Sequence, residues 1–224
     1  MSDTAPVLRV LHLDDDLVAV SKPAGLTVHR GPRSTDDEHF VLQTLARQID
    51  RWLYPVHRLD RNTSGVMVFA LSTEMAAALQ ASLQSDDAEK EYLVLARGET
   101  PLEFRSDRPL TGDSGEPQPA STEFRRLAVV PRASLLAARI HTGRTHQIRR
   151  HLAHLAHHVI GDSTYGKGRI NKWFRERGLP RMFLHARRLA FDHPRSGERI
   201  ALRDPLAADL AGFLRGLGAS RASM

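Results

Sequence analysis

The run VMVFAL, Val66 to Leu71, constrains this 224-residue chain more than any other stretch. Six apolar residues between Gly65 and Ser72 are far too few to cross a membrane, which takes about 20. They read as a buried strand, and the chain offers partners for it. VLRVLHL and LVAVSK read as two short strands around the acidic turn Asp14-Asp15-Asp16. KEYLVLARG reads as a strand ending at Gly98. STEFRRLAVV and SLLAARIH read as paired strands with Pro131 in the connection, and RMFLHARRLAFDHP carries one strand or two. Helical signals are fewer. FVLQTLARQI places Val41, Leu45 and Ile49 on one face. STEMAAALQASLQ has Ser72 as N-cap and Glu74 in its first turn. THQIRRHLAHLAHH has Thr145 as its cap and Ile148, Leu152 and Leu155 as its buried stripe. Residues 206 to 217 suggest a last amphipathic helix, before a frayed tail at 219–224. KPAG, Lys22 to Gly25, is a turn. RGPRSTDDEH is a polar loop, and residues 99 to 119, with four prolines, are loop-like. Many strands and a few helices out of strict alternation predict an α+β fold with a mostly antiparallel sheet.

Composition removes several chemistries. No cysteine is present, so disulfides, thiolate nucleophiles and cysteine-ligated zinc are excluded. The N-terminus MSDTAPVLRV lacks the basic and apolar regions of a signal peptide, and a soluble, cytoplasmic protein is the expectation. The net charge of +6 favours an anionic partner. It is concentrated: from Lys167 to Arg188 eight basic residues, among them Arg169, Lys172, Arg175 and Arg177, face one acid, Glu176. Trp173 and Phe174 lie inside this stretch. It suits phosphate contact with base stacking, or equally a solvated face over two core aromatics.

HRLDRNTSG, His57 to Gly65, sets Asp60 between Arg58 and Arg61. That is either a surface ion pair or an acid kept ionised for chemistry. TGRTHQIRRH, Thr142 to His151, puts Gly143, Arg144 and Thr145 at a helix start, an arrangement that binds phosphate. Its neighbours Ile148 and Arg149 can hold a carboxylate and press on a planar ring; the plainer alternative is a surface Arg beside a core Ile. His151, His154 and His158 share a helical face on paper, but without HExxH or a nearby acid zinc is the weaker account. No GxSxG, P-loop or GxGxxG is present. A glycosidic carboxylate pair would need a second acid beside Asp60, and none stands out. Tyr92 is either a core residue or a platform for a base.

In order, KPAG, HRLDRNTSG, KEYLVLARG, TGRTHQIRRH, GDSTYG and LHARRLAFDHP resemble the successive motifs of the RluA-type pseudouridine synthases. They span almost the whole chain, and HRLDxxTSG followed by GRTHQIR is specific. The resemblance implies one α+β catalytic domain over 1–218, with a mixed, largely antiparallel sheet and a central RNA-binding cleft. KPAG is reached by residue 22, which leaves no room for the S4 domain of some relatives.

By the same resemblance, Asp60 is the catalytic aspartate, and Tyr92 packs on the target base and helps proton transfer. Arg149 pairs with Asp60 and holds it ionised, as an adjacent guanidinium would. Ile148 walls the uracil, and Arg58 fills the gap left by the flipped uridine. Arg144, His146, Lys167, Arg169, Lys172, Arg175 and Arg177 are the candidate RNA contacts. The implied reaction breaks a uridine N-glycosidic bond, turns the uracil and rejoins it through C5, with no metal and no cofactor. Asp60 attacks the sugar, attacks the base or, the favoured route, works through a glycal. The basic insert between GD and LHA is similar to that of members that modify uridine 65 in the T stem of tRNA. A monomer acting on tRNA is therefore expected, with ribosomal RNA or non-catalytic RNA binding as alternatives. Asn62 and His158 each stand where a proline is frequent, and His158 is expected to loosen its turn.

Overall fold

The structure, a computed structural model, describes residues 6–29, 39–112 and 114–219. β1 (Arg9–Leu13) and β2 (Leu17–Lys22) form a hairpin. Its turn is closed by Asp14, whose Oδ1 accepts the N–H groups of Asp16 and Leu17. Then come α1 (Val41–Ile49), β3 (Tyr54–Pro55), β4 (Ser64–Ala70) and α2 (Thr73–Gln84). Ser72 caps α2 as expected, its Oγ accepting from Met75 N at 3.0 Å. β5 (Glu89–Arg97), β6 (Glu103–Ser106), β7 (Leu110–Thr111), β8 (Pro117–Gln118), β9 (Thr122–Val130) and β10 (Ala133–Ile140) follow. α3 (Gln147–His154), α4 (Gly168–Arg175), β11 (Leu184–Asp192), β12 (Arg199–Arg203) and α5 (Ala208–Gly216) complete the order. Among the described residues no helix is long and apolar enough to cross a membrane.

The α+β class with mostly antiparallel strands is borne out; the isolated bridge Thr27–Phe40 is parallel. Three local expectations change. The loop-like stretch 99–119 holds β6, β7 and β8, whose prolines sit at strand ends or in the short ribbon β7–β8. Residues 168–175, read as a charged insert, form α4, and 199–203 form β12. α3 stops at His154, so Leu155 is its C-cap and is 39% exposed rather than part of a buried stripe. The polar loop expected at 30–39 lies outside the described residues from 30 to 38, as does the tail from 220 on.

The chain divides into two compact units, Met1–Ala88 with Arg188–Asp204, and Glu89–Arg187 with Pro205–Met224. In the first, β2 pairs with β1 and β4, β3 with β4, and the end of β11 with β12. All seven residues of β4 are buried. Val66, Val68 and Ala70 alternate onto one face and pack with Met75, Leu79 and Leu83 of α2. Registering Lys22 opposite Gly65 brings the end of KPAG's strand beside the start of β4. In the second unit the order is β5-β10-β9-β6, all antiparallel. One face carries Val94, Ala96, Leu136 and Ala138 against Ile148 and Leu152 of α3. Leu95, Leu135 and Ala133 pack with Phe174 of α4 and Leu210, Phe213 and Leu214 of α5.

Candidate active site

Asp60 sits half-buried in the connection between β3 and β4, followed by a tight turn in which Thr63 N donates to Asp60 O at 3.0 Å. The turn is held from beneath by Lys22, whose side chain is fully buried. Its Nζ donates to Pro23 O at 2.8 Å, Arg61 O at 3.1 Å and Thr63 O at 2.9 Å. A buried ammonium needs such acceptors, because desolvating it otherwise costs several kcal/mol. KPAG and the Asp60 turn are therefore one assembly. Gly25 N donates to Arg61 O at 2.8 Å, and Arg61 Nε donates back to Gly25 O at 2.9 Å. Arg61, which the sequence left without a role, is thus a strut between the two motifs. His57 Nε2 accepts from Val68 N at 3.0 Å and ties the loop to β4. Arg58 is exposed, and among the described residues nothing bonds its guanidinium. Ser64 and Gly65, the last residues of HRLDRNTSG, already belong to β4.

In the second unit Tyr92 is half-buried on β5, opposite Ala138. It packs against the cluster that includes Ile140 and Ile148. Strand alternation puts Tyr92 on the face of Val94 and Ala96, the face α3 covers. Structure therefore brings Tyr92 and Ile148 to one apolar surface. Arg149, the next residue of α3, is 6% exposed. Its Nε donates to Asp162 Oδ2 at 2.8 Å and its Nη2 to Asp162 Oδ1 at 2.9 Å, a bidentate fork. Arg149 also lies over the Tyr165 ring, 5.1 Å from its centroid.

Asp162 is the residue that the pattern of charges did not point to. It is 1% exposed. Burial by itself would raise its carboxyl, yet the Arg149 fork and the Tyr165 and Thr164 N–H groups hold it below the usual carboxylate range. Its backbone is anchored from α4: Asn171 Nδ2 donates to Asp162 O at 2.8 Å, and Asn171 Oδ1 accepts from Gly161 N at 2.9 Å. The two glycines of GDSTYG follow from this packing. Gly161 has φ +82°, and a Cβ on it would meet Arg181 O at 2.6 Å. A Cβ on Gly166 would collide with Asp162 O.

The loop before α3 differs from expectation. Thr145 is exposed and does not cap the helix. The N-cap is His146, in the left-handed region at φ 56°, with Nδ1 3.0 Å from the Tyr165 hydroxyl. Arg144 is exposed, and its Nε donates to Pro119 O at 3.0 Å. His151, His154 and His158 do not share a face: His151 is buried, His154 is exposed, and His158 lies beyond the helix end. At His158 the turn is bonded to β5 on both sides. Its carbonyl accepts from Arg97 N, and Ile160 N donates to Leu95 O.

Of the basic insert, Lys167, Arg169, Lys172, Arg175 and Arg177 are all exposed. Phe174 is fully buried and belongs to the core. Trp173 is half-buried, with Arg177 3.8 Å and Arg132 4.8 Å from its ring centroid. The insert is therefore a charged face whose aromatics are engaged within the protein. Among the described residues, no group of three or more His, Asp or Glu is placed to hold a metal ion.

The sequence profile of the RNA pseudouridylate synthase family matches residues 16–154. The tRNA pseudouridine synthase C of Pasteurella multocida (strain Pm70) is 40% identical over 218 residues, covering 87% of this chain and 90% of that protein. The tRNA pseudouridine synthase C of Vibrio vulnificus (strain CMCP6) is 38% identical over 220 residues, 88% and 90% of the two chains. Human RNA pseudouridylate synthase domain containing 4 superposes with a TM-score of 0.77 at 26% identity over 94% of this chain and 93% of that one. Human RNA pseudouridylate synthase domain containing 1 shares the fold at a TM-score of 0.73 and 24% identity, covering 98% of each chain.

Proposed function

The chain belongs to the RNA pseudouridylate synthase family and is an isomerase, and from that premise we propose that it converts uridine 65 in the T stem of tRNA to pseudouridine. The observation that carries the choice of tRNA is the likeness to tRNA pseudouridine synthases C over nearly the full length of both chains. In this reading residues 1–218 act as one catalytic domain, as a cytoplasmic monomer. Pseudouridine mapping of total RNA from cells with and without the gene tests it. Loss of one tRNA site at position 65 is expected; loss of a ribosomal site instead refutes the substrate.

Asp60 is proposed as the reacting carboxylate. It takes the C2′ proton of the flipped uridine, and the C2′–H electrons become a C1′=C2′ double bond. The C1′–N1 bond breaks with its electron pair on N1 of the uracil. After the ring turns, Asp60 returns the proton to C2′ as uracil C5 attacks C1′. The C5 proton is then lost and N1 gains one, which balances the isomerisation. Tyr92 and Ile148 supply the apolar walls against which the base turns, a reading supported by their shared surface. Arg149 is the cation proposed to pair with that carboxylate, and a double-mutant cycle between the two residues measures the coupling. Arg58, exposed and unbonded among the described residues, fills the space left by the uridine. Arg144, His146, Lys167, Arg169, Lys172, Arg175 and Arg177 contact the RNA, chiefly its phosphates.

A further inference from the structure

Gln147 is 4% exposed, and each polar group of its side chain is bonded. Oε1 accepts from Thr142 Oγ1 at 2.7 Å and Arg144 N at 3.0 Å. Nε2 donates to Ser121 O at 2.9 Å and Thr122 Oγ1 at 3.0 Å. The Thr122 hydroxyl lies 2.9 Å from His151 Nδ1, and His151 Nε2 lies 3.0 Å from Arg108 O. The hydrogens of this chain run one way. A carbonyl only accepts, so His151 Nε2 carries the proton. Burial holds the His151 ring below its usual pKa and so neutral, which leaves Nδ1 to accept from Thr122. The Thr122 oxygen is then free to accept from Gln147. The amide orientation of Gln147 and the tautomer of His151 are set together.

This network sits where α3 lacks its ordinary start. The N-cap His146 makes no side-chain cap bond, no acid lies in the first turn, and His146 is left-handed at φ 56°. A non-glycine residue in that region is strained and persists only where its surroundings over-determine it. Gln147 provides that determination by joining the loop before the helix, through Thr142 and Arg144, to β9, through Ser121 and Thr122. Ile148 and Arg149 are the next two residues. We propose that Gln147 is a positioning residue for the isomerisation, acting through Thr122 and His151 to set the first turn of α3 and so aim Ile148 and Arg149. The inference rests on the assignment of those two residues to the uridine.

The test uses the full chain and a tRNA transcript, with single-turnover rates at saturating enzyme and Kd measured separately. Gln147→Glu keeps the shape but turns the two donors into acceptors facing Ser121 O and Thr122. At about pH 8 its rate should fall on the order of 10²-fold, the size expected of a misplaced site, with Kd changed by less than about threefold. Relative to wild type the deficit should shrink toward about pH 6, as the buried carboxyl takes a proton and donates again. Gln147→Ala should show no such recovery. Thr122→Val tests the relay should Gln147→Glu fail to fold: its rate should drop, and Thr122→Ser should restore it. Saturating rates of Gln147→Glu or Thr122→Val within about threefold of wild type at every pH overturn the proposal, whatever the change in thermal stability. Asp60→Asn runs beside them. Its continued activity would refute the site itself, whereas an inactive Asp60→Asn with full-rate Gln147 and Thr122 variants removes only Gln147's role.

Discussion

The Asp60 turn and the Arg149 seat each hold a proposed site residue in place, by opposite means. Under Asp60 the buried charge is Lys22, and its acceptors include three backbone carbonyls. Under Arg149 the buried charge is matched by another charge, Asp162. The difference lies in what a lost partner leaves behind. Removing Lys22 leaves neutral carbonyl dipoles, whereas removing Asp162 takes the carboxylate out of a fork on a guanidinium at 6% exposure. Breaking a buried ion pair from one side costs about 3–5 kcal/mol, while an unsatisfied buried neutral group costs about 1–3 kcal/mol. The first loss is spread over several main-chain groups, and the second falls on one ion pair.

The largest expected effect is on chemistry alone. Asp60→Ala should lower single-turnover pseudouridine formation on the order of 10⁴-fold or more while tRNA binding, read by filter retention, persists. Retained activity would remove Asp60 from its role. Next comes Asp162→Asn, which should destabilise the fold by about 3–5 kcal/mol in urea unfolding and depress the rate through Arg149. Lys22→Met should cost about 1–3 kcal/mol for each carbonyl left unsatisfied, with the damage centred on the Asp60 turn. If Lys22→Met leaves both stability and rate unchanged, the role given to Lys22 is wrong.

Smaller still, Arg175→Glu with Arg177→Glu should weaken tRNA binding and lower the slope of log K against log salt by about 1 per lost phosphate contact. An unchanged slope would make the insert a solvated face. The weakest effect is a pH dependence. Burial lowers the folded-state pKa of His151, so its share of stability is present above the unfolded value of about 6.5 and is lost as pH falls through the folded one. His151→Gln should flatten that part of the stability profile. The Asp162 carboxyl, also depressed, keeps its contribution above its unfolded value of about 3.9 and loses it as pH falls through the folded-state pKa.

Regular periodicity was readable. β2 has the bounds of LVAVSK, and Ser72 caps α2 as its position suggested. Tyr92 and Ile148, far apart in sequence, do meet on one surface. What local pattern concealed was polar burial. GRINKWFR looks like a run of charge, because only Phe174 and Asn171 of α4 are buried and Asn171 is polar. Its function of anchoring Asp162 leaves no periodic trace. Asp162 itself was visible only as a letter in GDSTYG, since a fork across 13 residues depends on how α3 and the following loop pack. β7 and β8 are two residues each, too short for alternation to register. Helix length also misled: THQIRRHLAHLAHH keeps a helical pattern past His154, but the chain turns there, with Ala156 at φ 59°.

Lys22 has a further consequence. Its ammonium is coordinated by main-chain oxygens much as a monovalent ion would be, but it is a captive ion, tethered to β2 and sealed from the medium. Dialysis cannot remove it, and competing electrolytes cannot exchange with it. Ionic strength should therefore act on encounter with the nucleic acid while leaving the geometry of the Asp60 turn untouched. Buffer composition then becomes a means of separating capture of the substrate from its conversion.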